Sequence, residues 1–218
     1  DLPAPNLAQW REAIETVAGE AGRGENVMKL LFSRGVEGAD APTAWITLAD
    51  APDNTAARTV GVRVATLDRG YALDVPARAP WLLLGAKTLS YATNMAAIRE
   101  AKRRGADDAV FVSSDGFVLE APTASVVLRV GQRFVTPAPS VGILHGTTQL
   151  SLFAHLERRG FATEYATVSV AELAEADAAW LLSSVRLAAP VCAVDGRALP
   201  IDRALTDELN AYLLSPRD

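Results

Sequence analysis

Of the chain's 21 lysines and arginines only Lys29, Lys87 and Lys102 are lysines, so amine chemistry through a lysine has three candidates. Lys87 follows the apolar run WLLLGA, which reads as a strand, and precedes a helical pattern. A lysine there is expected to be partly buried, and burial lowers an amine's pKa and makes it a nucleophile. The alternative is a strand-end lysine whose head reaches back to water. Lys29 begins a strand and Lys102 sits on a basic helix face, so both are poorer candidates. Glu120 ends the strand FVLE and enters APTAS. It reads either as a surface acid or as an interior carboxylate able to hold a protonated ring nitrogen. In HGTTQ, residues 145–149, Gly146 precedes Thr147 and Thr148 at a helix start. Free N–H groups with a hydroxyl beside them make a phosphate cup, though ordinary capping by a threonine uses the same residues.

Other chemistries fail on residue type. AGRGEN starts like a dinucleotide fingerprint, but Val27 stands where its third glycine belongs. No phosphate-binding P-loop, nucleophile elbow or H-E-x-x-H pattern is present. Cys192 is the only cysteine, which excludes an internal disulfide, and with His145 and His155 alone beside it a structural zinc site is not expected. The net charge of −5 argues against nucleic acid as partner. No apolar run reaches the length of a membrane span, and the opening DLPAPNLAQW lacks the features of a signal peptide, so the expected location is the cytoplasm. Half of the 218 residues are apolar, enough for a real core.

The elements that must position these groups follow from periodicity. Residues 6–20 read as a helix with Leu7, Trp10, Ile14 and Val17 on one face and Asn6 as its cap. NVMKLLFSRG and TAWITLAD read as two strands, and APDNTAAR as a turn near a domain boundary. A strand in GVRVATLDRG opens the second domain. Residues 88–104 read as a helix with Tyr91, Met95 and Ile98 on its apolar face. AVFV, the turn SSDG and FVLE form a hairpin, followed by strands in TASVVLRV and QRFVTP. A helix over 147–159, strands in ATEYATVSV, AAWLLSS and PVCAVDG, a short helix in AELAEAD and a closing helix at 203–213 complete the reading. The class is α+β, a mixed α/β fold with many antiparallel strands, unlike regular βαβ alternation.

Taken in order, the stretch KTLSYATNMAAIREAKRRGADDAVFVSSDGFVLEAPTASV resembles the fold-type IV enzymes that use pyridoxal 5'-phosphate (PLP). That family includes 4-amino-4-deoxychorismate lyases and the branched-chain and D-amino-acid aminotransferases. Lys87, Thr88, Leu89, Tyr91 and Asn94 match its signature, with Ser90 in place of the usual Asn, and Gly105, Asp115, Gly116 and Glu120 follow in order. The resemblance implies that Lys87 carries PLP as a Schiff base and moves the substrate proton. Glu120 pairs with the ring nitrogen, and Tyr91 bonds the phenolic oxygen unless it is a core aromatic. Thr147 and Thr148 hold the phosphate, with Gln149 where the family has an arginine. Ser183 and Ser184, which also read as exposed strand-end serines, match a second phosphate loop. Arg34, in Ser33-Arg34-Gly35, reaches a substrate carboxylate or is a solvated hairpin arginine. Arg186 faces substrate or makes an ion pair.

The resemblance further implies a small N-terminal α/β domain, residues 1–57, and a large PLP-binding domain, residues 58–218, with a pseudo-barrel of mostly antiparallel strands. Nothing here matches the family's R-H-x-x-R-L segment, so the small domain is expected to be incomplete in this sequence. Ser33-Arg34-Gly35 and APVCAVDG look most like the lyase branch, which converts a small amine substrate to 4-aminobenzoate and pyruvate for folate synthesis. An aminotransferase for D-amino acids or branched-chain amino acids is the alternative, and an inactive PLP-binding homologue a further one. A homodimer is expected by resemblance.

Overall fold

In the computed structural model, which describes residues 2–38 and 40–215, the chain divides into one unit up to Asp53 and a larger one from Asn54. In the first unit, helix α1 (Leu7–Ala18) is started by the Asn6 side chain, which accepts from the N–H groups of Ala8 and Gln9 at 3.1 and 3.2 Å. Strands β1 (Asn26–Ser33) and β2 (Thr43–Asp50) pair antiparallel along their whole length. Trp10 of α1 meets Phe32 of β1 edge to face, with ring centres 6.2 Å apart.

The second unit is built on a mixed sheet. Its strands are β3 (Val62–Asp68), β4 (Asp108–Val112), β5 (Ser125–Val130), β6 (Arg133–Pro137), β7 (Ala162–Ala166), β8 (Ala178–Ser183), β9 (Leu187–Val194) and β10 (Arg197–Ala198). The order is β4-β3-β9-β8-β5-β6-β7, with β10 on β9. β3 runs parallel to β4 and β9, and β7 parallel to β6; the remaining pairs are antiparallel. The hairpin beyond β4 links the two ends of this order. Phe117 bridges to Ser169, and the Val118 N–H donates to the Val168 carbonyl at 2.7 Å, just past β7. This linkage makes the pseudo-barrel.

Strands β5 and β8 are buried on both faces, so their sequences SVVLRV and AAWLLS are nearly continuous apolar runs. Helices α5 (Thr147–Arg158) and α7 (Arg203–Leu214) cover one side, packing Leu152, Leu156, Leu209 and Leu213 on Trp180, Phe134 and Val127. Trp180 is fully buried, and its indole N–H is satisfied by the Thr206 hydroxyl at 2.9 Å. Helix α6 (Val170–Glu175) begins in a capping box of Ser169 and Glu172.

Four expectations change. Helix α4 (Ala92–Arg103) starts later than residue 88, and it buries Ala97 and Ala101 while Tyr91 and Met95 stay exposed. The two alanines let α4 lie close on β3 and β4. WLLLGA is no strand: Pro80–Leu82 is a 3-10 turn, and Trp81, Leu82 and Leu83 are exposed. Four apolar residues in a row do not distinguish a strand from a turn, and Pro80, which cannot donate a ladder hydrogen bond, decides it. The stretch APDNTAAR carries a short helix, α2 (Thr55–Thr59), and a one-turn helix, α3 (Val75–Arg78), follows β3. The return arm FVLE pairs by isolated bridges rather than as a regular strand.

Asn210 adds a second polar contact, besides Thr206, that ties α7 to the sheet. Its side chain accepts from the Ala188 N–H and donates to the Ala188 carbonyl, both at 2.9 Å, in the core. Asn210→Ala strips both groups of their partner. At about 1–3 kcal/mol per unpaired buried group, the expected loss is roughly 2–4 kcal/mol in a denaturant titration. A loss below about 0.5 kcal/mol would mean that water replaces the side chain.

Candidate active site

Glu120 sits on the return arm of the hairpin after β4. Its carbonyl accepts from the Phe111 N–H at 2.8 Å, which fixes its backbone to the sheet. Its carboxylate Oε2 accepts from the Leu144 N–H at 3.1 Å. Burial pushes the carboxyl above the ordinary range. The Leu144 N–H, then the Arg69 and Lys87 charges, pull it back. The side chain is therefore a half-buried acid turned toward the loop of Leu144.

Lys87 is exposed, in the turn between the Pro80–Leu82 segment and α4, contrary to the expected partial burial at a strand end. Its charge still acts on Glu120. Two contacts hold the neighbouring segments together. Gly85 has φ of 81°, and a Cβ there would lie 2.7 Å from the Ile143 carbonyl oxygen. Only glycine allows this approach, which places the segment leading to Lys87 against the loop whose Leu144 bonds Glu120. Asn94 donates to the Pro122 carbonyl at 2.5 Å, clamping α4 to the chain just beyond Glu120. Tyr91 is the cap residue of α4 and is 37% exposed.

A second cluster forms where α5 begins. Gly146 is extended and caps α5 without a side-chain hydrogen bond, so the first N–H groups of the helix keep their free direction. A Cβ at Gly146 would meet the Ser125 hydroxyl at 2.5 Å, so the turn lies directly on β5. Thr147, Thr148 and Ser184 line one cavity of about 340 Å³ together with Ser151, Leu187 and Leu213. The two candidate phosphate segments thus meet, although they are far apart in sequence. The Ser183 hydroxyl accepts from the Arg186 N–H at 3.1 Å and shapes the turn. Arg58 steadies the same turn by donating to the Arg186 and Val185 carbonyls at 3.1 and 3.3 Å.

Gln149, at the family's arginine position, is buried and bonds the Tyr165 hydroxyl at 3.0 Å. It is not among the residues that line the cavity. Arg186 is paired with Asp108 at 2.6 Å, with the two side chains 16% and 5% exposed. Its charge is met inside the protein, so it is not a loose cation presented to substrate. Arg34 belongs to the first unit and is exposed just past β1. Sequence reasoning missed Arg69, Tyr71, Arg58 and Asp108. Arg69 and Tyr71 stood in a strand-end stretch, LDRGY, and only the packed structure shows what they face.

Among the described residues no group of three or more His, Cys, Asp and Glu could hold a metal ion, and no helix is long and apolar enough to cross a membrane.

Residues 2–194 match the family described as Amino-transferase class IV. The chain is 42% identical to the bifunctional aminodeoxychorismate lyase / D-amino acid transaminase of Mycobacterium tuberculosis, over all of this chain and 80% of that protein. A solved fold IV-transaminase from Curtobacterium pusillum is 51% identical, with a TM-score of 0.92 over 98% of this chain and 73% of that one. A hypothetical aminotransferase from Mycobacterium tuberculosis, solved in a PLP-bound form, is 42% identical, with a TM-score of 0.93 over 100% of this chain and 79% of that one. The chain belongs to the class IV aminotransferase family.

Proposed function

We propose that the chain is a PLP-dependent enzyme acting on a small amine, with 4-amino-4-deoxychorismate as substrate and 4-aminobenzoate and pyruvate as products. The observation that carries this reading is the Glu120 carboxylate held on the Leu144 N–H, in the loop against which Gly85 packs the segment leading to Lys87. An acid for a ring nitrogen, an amine for an aldehyde carbon and a cavity of hydroxyls at an uncapped helix start fit the three functional ends of PLP.

When bound, PLP supplies an electron sink for the charge left as a proton leaves the carbon bearing the amine. Lys87 would anchor it through a carbon–nitrogen bond. Displaced by the substrate amine, the Lys87 amine would carry a proton between substrate atoms. Glu120 would hold the ring nitrogen in its protonated form. Thr147, Thr148 and Ser184 would take the phosphate, with Ser183 shaping their loop and Tyr91 bonding the phenolic oxygen. Arg34 would bind a substrate carboxylate through its planar fork. Arg186 holds its loop through Asp108. The elimination needs no second substrate, because the atoms of 4-aminobenzoate and pyruvate sum to those of 4-amino-4-deoxychorismate. Ser33-Arg34-Gly35, APVCAVDG and the likeness to the bifunctional Mycobacterium tuberculosis protein favour this reaction. Transamination of D-amino acids is the second reading, favoured by the transaminase half of that relative's name and by the Curtobacterium likeness. The protein acts as a homodimer in this reading.

The test is to give PLP-loaded protein 4-amino-4-deoxychorismate with no keto acid and follow 4-aminobenzoate fluorescence. Release with equimolar pyruvate is expected, and Lys87→Ala should lower it by at least about 10²-fold, the scale of a lost proton-transfer group. No release from protein that still carries the visible band of bound PLP would sink the lyase reading. Amine transfer from a D-amino acid to a keto acid would then take its place.

Glu120 also makes a stability prediction for protein free of PLP. Its folded-state pKa lies above the unfolded value, so the buried carboxylate costs stability progressively as pH rises from about 4.3 through the folded pKa. Glu120→Gln should melt above the parent at pH 8 and converge with it near pH 4. Parallel melting curves at both pH values would contradict the burial of the charge.

A further inference from the structure

We propose that Arg69 is a positioning residue that keeps Glu120 ionised throughout the reaction, an inference that rests on the role given to Glu120 above. Arg69 directly follows β3, and its guanidinium lies over the Phe111 ring, 4.1 Å from the centroid. Phe111 is the strand residue to which Glu120 is paired: its N–H donates to the Glu120 carbonyl and its own carbonyl accepts from the Leu119 N–H, both at 2.8 Å. The aromatic face therefore fixes the cation on the strand residue whose backbone pairs with that of Glu120. Nη1 of Arg69 is buried without a hydrogen-bond partner, the one such side-chain nitrogen or oxygen among the described residues. An unsatisfied buried donor is expensive to keep, and a long-range charge effect on a nearby acid is a reason to keep it.

The charged and titratable groups that face Glu120 are Arg69, Tyr71 and Lys87, with the Leu144 N–H as its direct donor. Tyr71 is held as a neutral phenol, its pKa raised by burial although the Arg69 guanidinium beside it pulls the other way. Lys87 is a poor permanent counter-charge, because an amine that forms and breaks a carbon–nitrogen bond changes its charge during turnover. A guanidinium stays protonated at every working pH. Of the two cations, only Arg69 therefore stands with the Leu144 N–H against the cost of burying the Glu120 carboxylate at each stage.

The experiment is a carboxyl-carbon NMR titration of Glu120 in the PLP-free protein, with the signal identified by its loss in Glu120→Gln. Arg69→Met and Arg69→Gln are compared with the parent, with Arg69→Lys as the charge-keeping control. Each variant's melting temperature reports whether it folds. Removing the charge should raise the Glu120 midpoint by about one pH unit or more, and Arg69→Lys should restore most of the difference. Lys87→Ala should move the midpoint less than Arg69→Gln does. An unchanged midpoint in folded Arg69→Gln or Arg69→Met overturns the proposal, as does an Arg69→Lys variant that behaves like Arg69→Gln. Uptake of PLP by the parent is followed separately, through its visible band. A parent that takes up no PLP while Arg69 still governs the Glu120 midpoint overturns the functional reading and leaves the coupling standing. Normal uptake with an unmoved midpoint overturns the coupling alone.

Discussion

The arrangement of the second unit turns on one half-buried carboxylate. Glu120 gives up much of its water for one hydrogen bond, from the Leu144 backbone N–H, and the field of two cations. A group in that position is unfavourable for folding on its own, so the surrounding structure has to hold it there. The hairpin after β4 does so through backbone bonds on both sides of Phe111. Asn94 fixes the chain just beyond it, and Gly85 lets the Lys87 segment approach the loop that supplies Leu144. Each device is short-range, and together they join four stretches of chain that are distant in sequence.

The same hairpin links the two ends of the strand order. Phe117 and Val118 bond the chain past β7, so the arm that carries Glu120 also joins the β4 side of the sheet to the β7 side. The site is thus built where the pseudo-barrel is completed by bridges rather than by a regular ladder. The phosphate-type cavity has a different support: the turn after β8 is shaped by Ser183 and held by Arg58, while the Arg186–Asp108 pair anchors it to β4. A buried pair of this kind adds little net stability, but removing one partner strands the other charge, which makes it a strong constraint on loop position.

Much of this was legible in the sequence for physical reasons. Apolar runs such as SVVLRV and AAWLLS, helix-spaced patterns, and stops at Gly105 and Gly160 fixed nearly every strand and helix of the second unit. The order of Lys87, Asp115-Gly116 and Glu120 carried the resemblance to the family that the chain belongs to. What was not legible depended on packing. WLLLGA read as a strand because a short apolar run carries no period of its own, and Lys87 inherited an expected burial that it does not have. Tyr91 and Met95 read as a core face of α4, whereas the close approach to the sheet selects Ala97 and Ala101. Arg186 read as either a substrate-facing cation or an ion pair, and its partner, Asp108, comes from a strand far along the chain.

The groups proposed to hold the cofactor all belong to the second unit: the acid, the lysine and the hydroxyl-lined cavity are held by contacts within it. Arg34 belongs to the first unit and is exposed on the turn after β1. The contacts that fix the Glu120 arm, backbone bonds at Phe111 and the Asn94 clamp, are therefore local to the unit that carries it, and they hold the acid in place whatever amine chemistry it serves.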